Sequence, residues 1–331
     1  YATKNGDIGL TIAGKFPIKY EGQGKFILDG KDIKNEWQGY IPYKNILTYK
    51  NPKEGYVSSA NQHPVNKTYP YYYYSHNYEM YRGRRLIERL ESIDNVEIND
   101  IKKIQNDNFN YKAYEVLPLI LDEIDTSKLT YEQKIYFKNL KNWDYFAEVS
   151  NENQVVFNEW WNNLYKNIWD EFDSLKYPYR KPNSFRTYKL IKEDKNSKFY
   201  DVISTSKNES LNDLINKSFL DITVKLDTFK KRNSLKKIKW DHYKNTTINH
   251  LLRIKSFSYD SVSIGGYRNI LNAASERHGP SFRLIVKLKQ NEKTKAWGVY
   301  PGGQSGNIGS QNYFGEVENW GKGVYNKLLF N

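Results

Sequence analysis

The side chains to start from are an asparagine and the residues around it. The stretch GYVSSANQHPV (55–65) sets an amide pair, Asn61 and Gln62, behind Ser58, Ser59 and Ala60 and ahead of His63 and Pro64. Small residues let another backbone or a ligand come close. A carboxamide N–H2 held in place can stabilise negative charge growing on a carbonyl oxygen. The tyrosine cluster YPYYYYSHNY (69–78) and the arginine-rich MYRGRRLIERL (80–90) follow directly. On these residues alone three readings stay open: an Asx-turn before proline, a nucleic-acid patch, or part of an active site that needs fixed hydrogen-bond donors.

Other chemistries fail by residue type. With no cysteine, disulfides, thiolate metal sites and cysteine nucleophiles are excluded. The five histidines (His63, His76, His242, His250, His278) show no tight ligand pairing; His242 and His250 read as structural, and no metal site is expected. There is no GxGxxG opening a helix, no Walker loop, no HExxH and no EF-hand. Gly303-Gln304-Ser305-Gly306 lacks the strand–serine–helix arrangement that makes an elbow serine reactive. A carboxylate pair for glycoside hydrolysis cannot be singled out among 38 acids.

Composition narrows the class. Tyr, Phe and Trp make up 16% of the 331 residues, enough buried ring area for a packed fold despite a polar average. The net charge of +13 comes from lysines dispersed among acids, so it reads as solubility rather than as a footprint. The densest run, FKKRNSLKKIKW (229–240), reads as a solvated face. Nucleic acid is not expected as a partner, although a non-catalytic basic module for polyanions remains the alternative. No apolar run approaches a membrane span. The opening YATKNGDIGL is not a signal peptide and reads as the middle of something longer.

The elements that must position these residues divide by pattern. Residues 1–75 read as β: IGLTIAG and FPIKY as short strands, then a Gly-rich loop, then GYVSSAN as a further short strand. Residues 76–230 take helical spacing. Ala113, Val116, Leu117, Ile120, Leu121 and Ile124 form one stripe, with Pro118 expected to kink it or start a second helix. Thr130 to Gln133 has capping-box order. Val156, Trp160, Leu164, Ile168 and Phe172 form an aromatic core face widened by Phe157, Trp161 and Trp169. Ser210 with Asp213 starts another helix, and Lys176 to Ser206 reads as a surface excursion. Residues 231–331 return to β. Phe282, Leu284, Val286 and Leu288 are read as the buried side of a strand whose hairpin partner is Ala296 to Tyr300, followed by a helix-like tail around Trp320. Strands from both ends are expected to meet in one domain.

Several separated stretches resemble, in order, one family: GDIGLTIAGKFP, EWQGYIPYKNI, NPKEGYVSSANQHPV, YPYYYYSHNYEMYRGRRLIERL, GPSFRLIVKL, and PGGQSGNIGSQNY with the later Trp320. Over nearly the whole chain they resemble the carboxy-terminal part of the catalytic β chain of penicillin amidases (penicillin acylases), which are N-terminal nucleophile hydrolases.

The resemblance implies an α+β fold, part of a four-layer αββα sandwich with a long helical insertion. It implies an amidohydrolase that cleaves the acyl-amide bond of N-acylated small molecules such as β-lactam side chains or acyl homoserine lactones. Asn61 matches the family's oxyanion donor. Arg82 matches the arginine that orients this asparagine or meets substrate; Arg84, Arg85 and Arg89 read as helix surface. Tyr71 to Tyr74 are expected on the helical layer, with one or two bordering an acyl pocket, whereas His63 reads as a loop residue with pocket lining as the alternative. The family's nucleophile is an N-terminal serine, and Tyr1 heads this chain. The serine is therefore expected outside it, in the upstream part of the same precursor, and the chain alone is expected to be inactive. No cofactor is implied beyond a structural calcium ion in the full-length protein, with most ligands outside this chain. Family members are generally exported, which implies a periplasmic or extracellular bacterial protein.

Overall fold

The structure is a computed structural model, and it describes residues 1–66, 68–73, 79–176 and 179–329. Tyr74 of the tyrosine cluster and His76, where helical spacing was expected to begin, lie outside the described residues. The chain divides into two compact units. One holds residues 1–96 with 286–296 and Leu329; the other holds 97–285 and 297–328.

In the first unit, β1 (Gly9–Thr11) pairs antiparallel with β2 (Thr48–Lys50), Leu10 opposite Tyr49. The expected strand FPIKY reduces to a single bridge between Pro17 and Tyr40. GYVSSAN forms no strand, because no neighbouring segment among the described residues supplies a ladder for it. Polar ties hold the loops instead. The Asn51 side chain accepts from Ile8 N at 2.9 Å and donates to Asp7 Oδ1 at 2.7 Å. Asn45 Nδ2 donates to Tyr71 Oη at 2.7 Å, and Tyr69 Oη donates to the Asn45 carbonyl. Tyr73 packs near Phe16. Tyr69, Tyr71 and Tyr73 thus meet the N-terminal loops. Helix α1 (Tyr81–Glu91) closes this unit.

The second unit is helical at its centre: α2 (Ile98–Gln105), α3 (Tyr111–Leu121), α4 (Tyr131–Lys141), α5 (Glu152–Ile168), α6 (Ser184–Glu193), α7 (Leu211–Arg232) and α8 (Trp240–Lys244). The starts of α4 and α7 follow their sequence signals. Thr130 and Gln133 bond reciprocally, as do Ser210 and Asp213, satisfying backbone donors that a helix leaves free. The aromatic stripe of α5 is buried against α7, with the Trp160 and Phe219 rings 4.9 Å apart. From the basic run, Ile238 and Trp240 enter the core while Lys236 and Lys237 stay exposed.

Two local expectations are corrected. Pro118 starts no second helix, because α3 runs through it to Leu121. Pro118 and Tyr114, whose carbonyl loses its amide partner, both lie on the exposed face. Residues 176–206 are more than a surface excursion. Helix α6, capped by Asn183, buries Thr187 and Ile191, and Tyr200 follows them into the core. Thr187 Oγ1 also accepts from Trp169 Nε1 at 3.0 Å. The apolar face of α6 is narrow and flanked by lysines, so composition hides it.

β3 (Thr246–Ile248) pairs antiparallel with β4 (Tyr259–Val262) across an irregular register. The expected hairpin is present as β5 (Arg283–Lys287) and β6 (Lys295–Val299); β7 (Asn326–Leu328) joins β6 after α9 (Val317–Lys322), which buries Trp320. The N-terminal strands pair with each other, and the C-terminal strands form their own sheet.

The facing of β5 is the reverse of the sequence expectation. Arg283 and Ile285 are buried, while Phe282, Leu284 and Val286 are exposed. The guanidinium decides this. Arg283 Nη1 donates to the Trp320 carbonyl at 2.6 Å and Nη2 to Asn272 Oδ1 at 2.7 Å, with the Trp320 ring 5.5 Å away. A buried charge with paired donors is tolerated, and a one-residue change of facing would expel Ile285 as well.

Candidate active site

The segment Tyr56 to Pro64 is shaped by its own amides. Gln62 Oε1 accepts from Ala60 N at 2.6 Å, and Gln62 Nε2 donates to the Ser58 carbonyl at 3.3 Å. This clasp turns the chain so sharply that Asn61 sits at φ +62°, a left-handed conformation that asparagine tolerates better than most residues. Gly83 in α1 lies beneath the clasp, and a methyl group there would come within 3.2 Å of Gln62 Cβ. The glycine therefore lets the helix start approach the turn, which brings Arg82, the second residue of α1, to Asn61.

Arg82 Nη2 donates to Asn61 Oδ1. The asparagine is exposed and the arginine half-buried. Burial draws the Arg82 pKa down from its ordinary value, yet an arginine stays charged in proteins. A cation on the amide oxygen does two things. It fixes which way the carboxamide faces, and it polarises the amide so that its N–H groups donate more strongly. Among the described residues no hydrogen bond engages Asn61 Nδ2, so that donor is available.

Beside this pair lies a cavity of about 500 Å³. Ser58, Ser59, Gln62 and His63 line it from the turn, whereas Leu10, Ile12, Leu47 and Ile87 give it an apolar wall. At its rim Tyr56 Oη donates to Glu91 Oε1 at 3.3 Å. Burial first, then the Glu91 carboxylate, push the Tyr56 phenol up from its ordinary value. Ala60 and Asn61, between the lining residues Ser59 and Gln62, are not themselves part of the lining. Tyr73 borders a separate apolar recess with Phe16 and Val65, and its ring meets His63 edge-on.

Other singled-out residues take ordinary places. Arg85 is buried rather than on the helix surface, with Nη1 3.1 Å from Glu88 Oε1, while Arg84 is exposed. Ser305 accepts from Asn307 N within a loop. His250 Nδ1 accepts from Leu252 N. Among the described residues no three His, Asp or Glu side chains converge as metal ligands, and no helix is long and apolar enough to cross a membrane. Two parts of the site escaped sequence reasoning. The Gln62 clasp left no signal beyond an amide next to an amide, and Gly83 none beyond being the lone small residue among arginines.

A turn-borne carboxamide tied to a guanidinium thus lies beside an apolar-walled cavity, on a mixed helix and strand scaffold. Comparisons with known proteins place the chain more closely. The model of the penicillin amidase family matches residues 1–331, and the chain belongs to that family. It is similar to a penicillin acylase 2 proenzyme from Pseudomonas sp., 26% identical over 102 residues, which are 31% of this chain and 13% of that protein. It is also similar to the acyl-homoserine lactone acylase QuiP of Pseudomonas syringae pv. syringae, 33% identical over 63 residues, 19% of this chain and 8% of that protein. Among solved structures, a thermostable penicillin G acylase from Alcaligenes faecalis shares the fold at a TM-score of 0.65 and 14% identity. That match covers 100% of this chain and 64% of that one. The chain thus spans only part of the relatives it matches.

Proposed function

We propose that this chain is the carboxy-terminal part of an amidohydrolase that cleaves the acyl-amide bond of N-acylated small molecules, β-lactam side chains and acyl homoserine lactones being the classes its relatives' names point to. The attacking group is an N-terminal serine carried by polypeptide outside this chain, and the partner is accordingly the upstream part of the same precursor. Asn61 is the oxyanion donor and Arg82 the residue that orients it. One observation carries the reading: the Arg82 guanidinium occupies the oxygen of the Asn61 amide, and among the described residues no hydrogen bond engages its nitrogen. When a nucleophile adds to an acyl carbonyl, charge moves onto the oxygen, and a donor already aimed there stabilises the transition state without reorganising. The αββα layering, export from the cytoplasm and a calcium ion held mostly elsewhere belong to the same proposal.

The test uses the complete precursor against a panel of N-acyl substrates. Asn61→Ala is expected to lower kcat by about 10²–10³, with maturation and KM little changed. Full activity in that variant removes Asn61 from the mechanism. The same panel identifies the preferred acyl group, and a precursor that never cleaves any N-acyl amide overturns the hydrolase reading.

A further inference from the structure

A second recess lies in the other unit, and its charge sets it apart. It encloses about 270 Å³. Thr247 and Asn249 line it from β3 and the residue after, Arg253 from the following turn, and Arg277, His278 and Ser281 from the stretch before β5. No aspartate or glutamate is among its lining residues. We propose that this recess is a binding site for a phosphoryl group, either as free phosphate or carried on a small molecule.

The arginines make the case. Arg268 is paired with Glu276 at 3.0 Å, and Arg283 is committed to Trp320 and Asn272. Glu276, the acid next in sequence to Arg277, is also taken by Tyr267 Oη at 2.7 Å. Arg253 and Arg277, by contrast, have no hydrogen-bonded or ionic side-chain partner among the described residues, and both are exposed. Two guanidiniums lining one recess give it a positive character that favours an anion, and their forked donors match phosphoryl oxygens bidentately. The Ser281 hydroxyl and the Asn249 amide supply neutral donors, whereas the Thr247 hydroxyl donates to the Asn245 carbonyl at 3.4 Å and offers a ligand only its lone pairs.

The backbone adds an independent sign. Arg253 lies at φ +60°, a left-handed conformation unusual for a long side chain. It is held there by Arg253 N donating to the His250 carbonyl at 2.8 Å and Leu252 N donating to His250 Nδ1 at 3.3 Å. Strain of this kind persists where the surroundings enforce it, and it clusters at ligand-binding positions. A bare phosphate fills only part of the recess. Ile248, Pro301 and the edge of Trp320 complete it, an apolar side against which a compact organic body such as a sugar ring can rest.

The experiment is calorimetric titration of the full chain, at constant ionic strength held with chloride, using inorganic phosphate and glucose 1-phosphate as probes. Saturable binding is expected. Arg253→Ala and Arg277→Ala should each weaken it about 10- to 100-fold, the size of a lost charge-assisted hydrogen bond. Both side chains are exposed, so neither variant should melt early without phosphate. Phosphate should raise the melting temperature of the wild type and leave the variants unmoved. Tighter binding of the ester identifies a phosphorylated small molecule as the ligand, and equal binding identifies the free ion. No saturable binding of either probe, or affinity unchanged in both variants, overturns the proposal. Neither arginine belongs to the amide-cleaving site, so this test and the Asn61 test fail independently.

Discussion

In residues 97–285 the interior is made of rings. Trp160, Trp161, Phe157, Phe219 and Trp240 are all fully buried, joined by the leucines and isoleucines of α3, α5 and α7. Among the described residues of 1–96, only Ile41 and Tyr81 are buried hydrophobics, while Phe26, Ile27, Ile33 and Trp37 stand exposed. Order in that stretch comes from asparagine and glutamine side chains stitching loops together. Besides Asn45 and Asn51, Gln23 Nε2 donates to the Asn35 carbonyl at 2.7 Å and Tyr20 Oη donates to Asn35 Oδ1 at 2.8 Å. The two devices differ in what they supply. A buried large apolar side chain contributes about 1.5–3 kcal/mol, and a typical hydrogen bond nets about 1 kcal/mol but fixes direction. The Asn61–Arg82 pair lies in the region that has direction and little buried area, which is where adjustable, functional loops are found.

The sharpest way to break this contrast is to remove a ring. Trp160 is fully buried, packs on Phe219 and donates its indole N–H to the Ile215 carbonyl at 3.3 Å. Trp160→Ala is expected to cost about 3–5 kcal/mol of stability, read by urea unfolding of the chain. A loss under about 1 kcal/mol would be an ordinary surface value, and it would mean that the helical unit does not depend on its aromatic stripe.

A smaller effect, on rate instead of stability, is expected from Arg82→Ala in the complete precursor. Removing the guanidinium frees the Asn61 carboxamide to rotate and removes its polarisation, a loss comparable to one charge-assisted hydrogen bond of about 1.5–3 kcal/mol. The expected result is a fall in kcat of about 10- to 100-fold at unchanged KM, with the melting temperature held, because one exposed tie carries little of the fold. A drop in melting temperature with kcat preserved would make Arg82 a structural prop and place the site elsewhere.

What the residues disclosed follows the same division. Helix starts were legible because capping is local: Thr130 with Gln133, and Ser210 with Asp213, need no knowledge of the rest of the chain. The α5 stripe was legible because Val156, Trp160, Leu164 and Ile168 at steps of four leave little choice, although the helix ends there and Phe172, the last of the run, follows in a 3-10 turn. The facing of β5 was not, since apolar residues occupy both of its sides and the outcome turned on Arg283 finding Asn272 and the Trp320 carbonyl. Helix α6 was hidden by its lysines. At the candidate site, residue type marked Asn61 and Arg82 only through their resemblance to a family pattern. Their contact spans 21 positions, and it depends on the Gln62 clasp and on Gly83, neither of which has a periodic signature.

A third test lies where the two devices meet, in a polar group sunk among rings. Lys244 ends α8 almost fully buried, its ammonium donating to the carbonyls of Ile264, Gly265 and Ala274 at 2.9 Å and of Gly266 at 3.3 Å, with the Trp240 ring 5.7 Å away. Burial pulls its pKa down to about 7, against the opposing pull of Glu276 from the 263–278 stretch and of Asp241 from its own helix. In the unfolded chain the same lysine titrates near its ordinary value of about 10.4. Between those two values the unfolded chain binds a proton that the folded one lacks, so stability should rise as pH increases from about 7 towards 10. The buried phenols of Tyr136, Tyr200, Tyr243 and Tyr267, all pushed up mainly by burial, act the other way. Above about pH 10 their unfolded counterparts ionise first, and stability should fall. Urea unfolding across that range should therefore show a slope upward from neutrality in the wild type. The slope should flatten in Lys244→Met, whatever that variant's absolute stability. Parallel curves for the two proteins would mean that Lys244 keeps one protonation state throughout, and that its four carbonyls outweigh the rings.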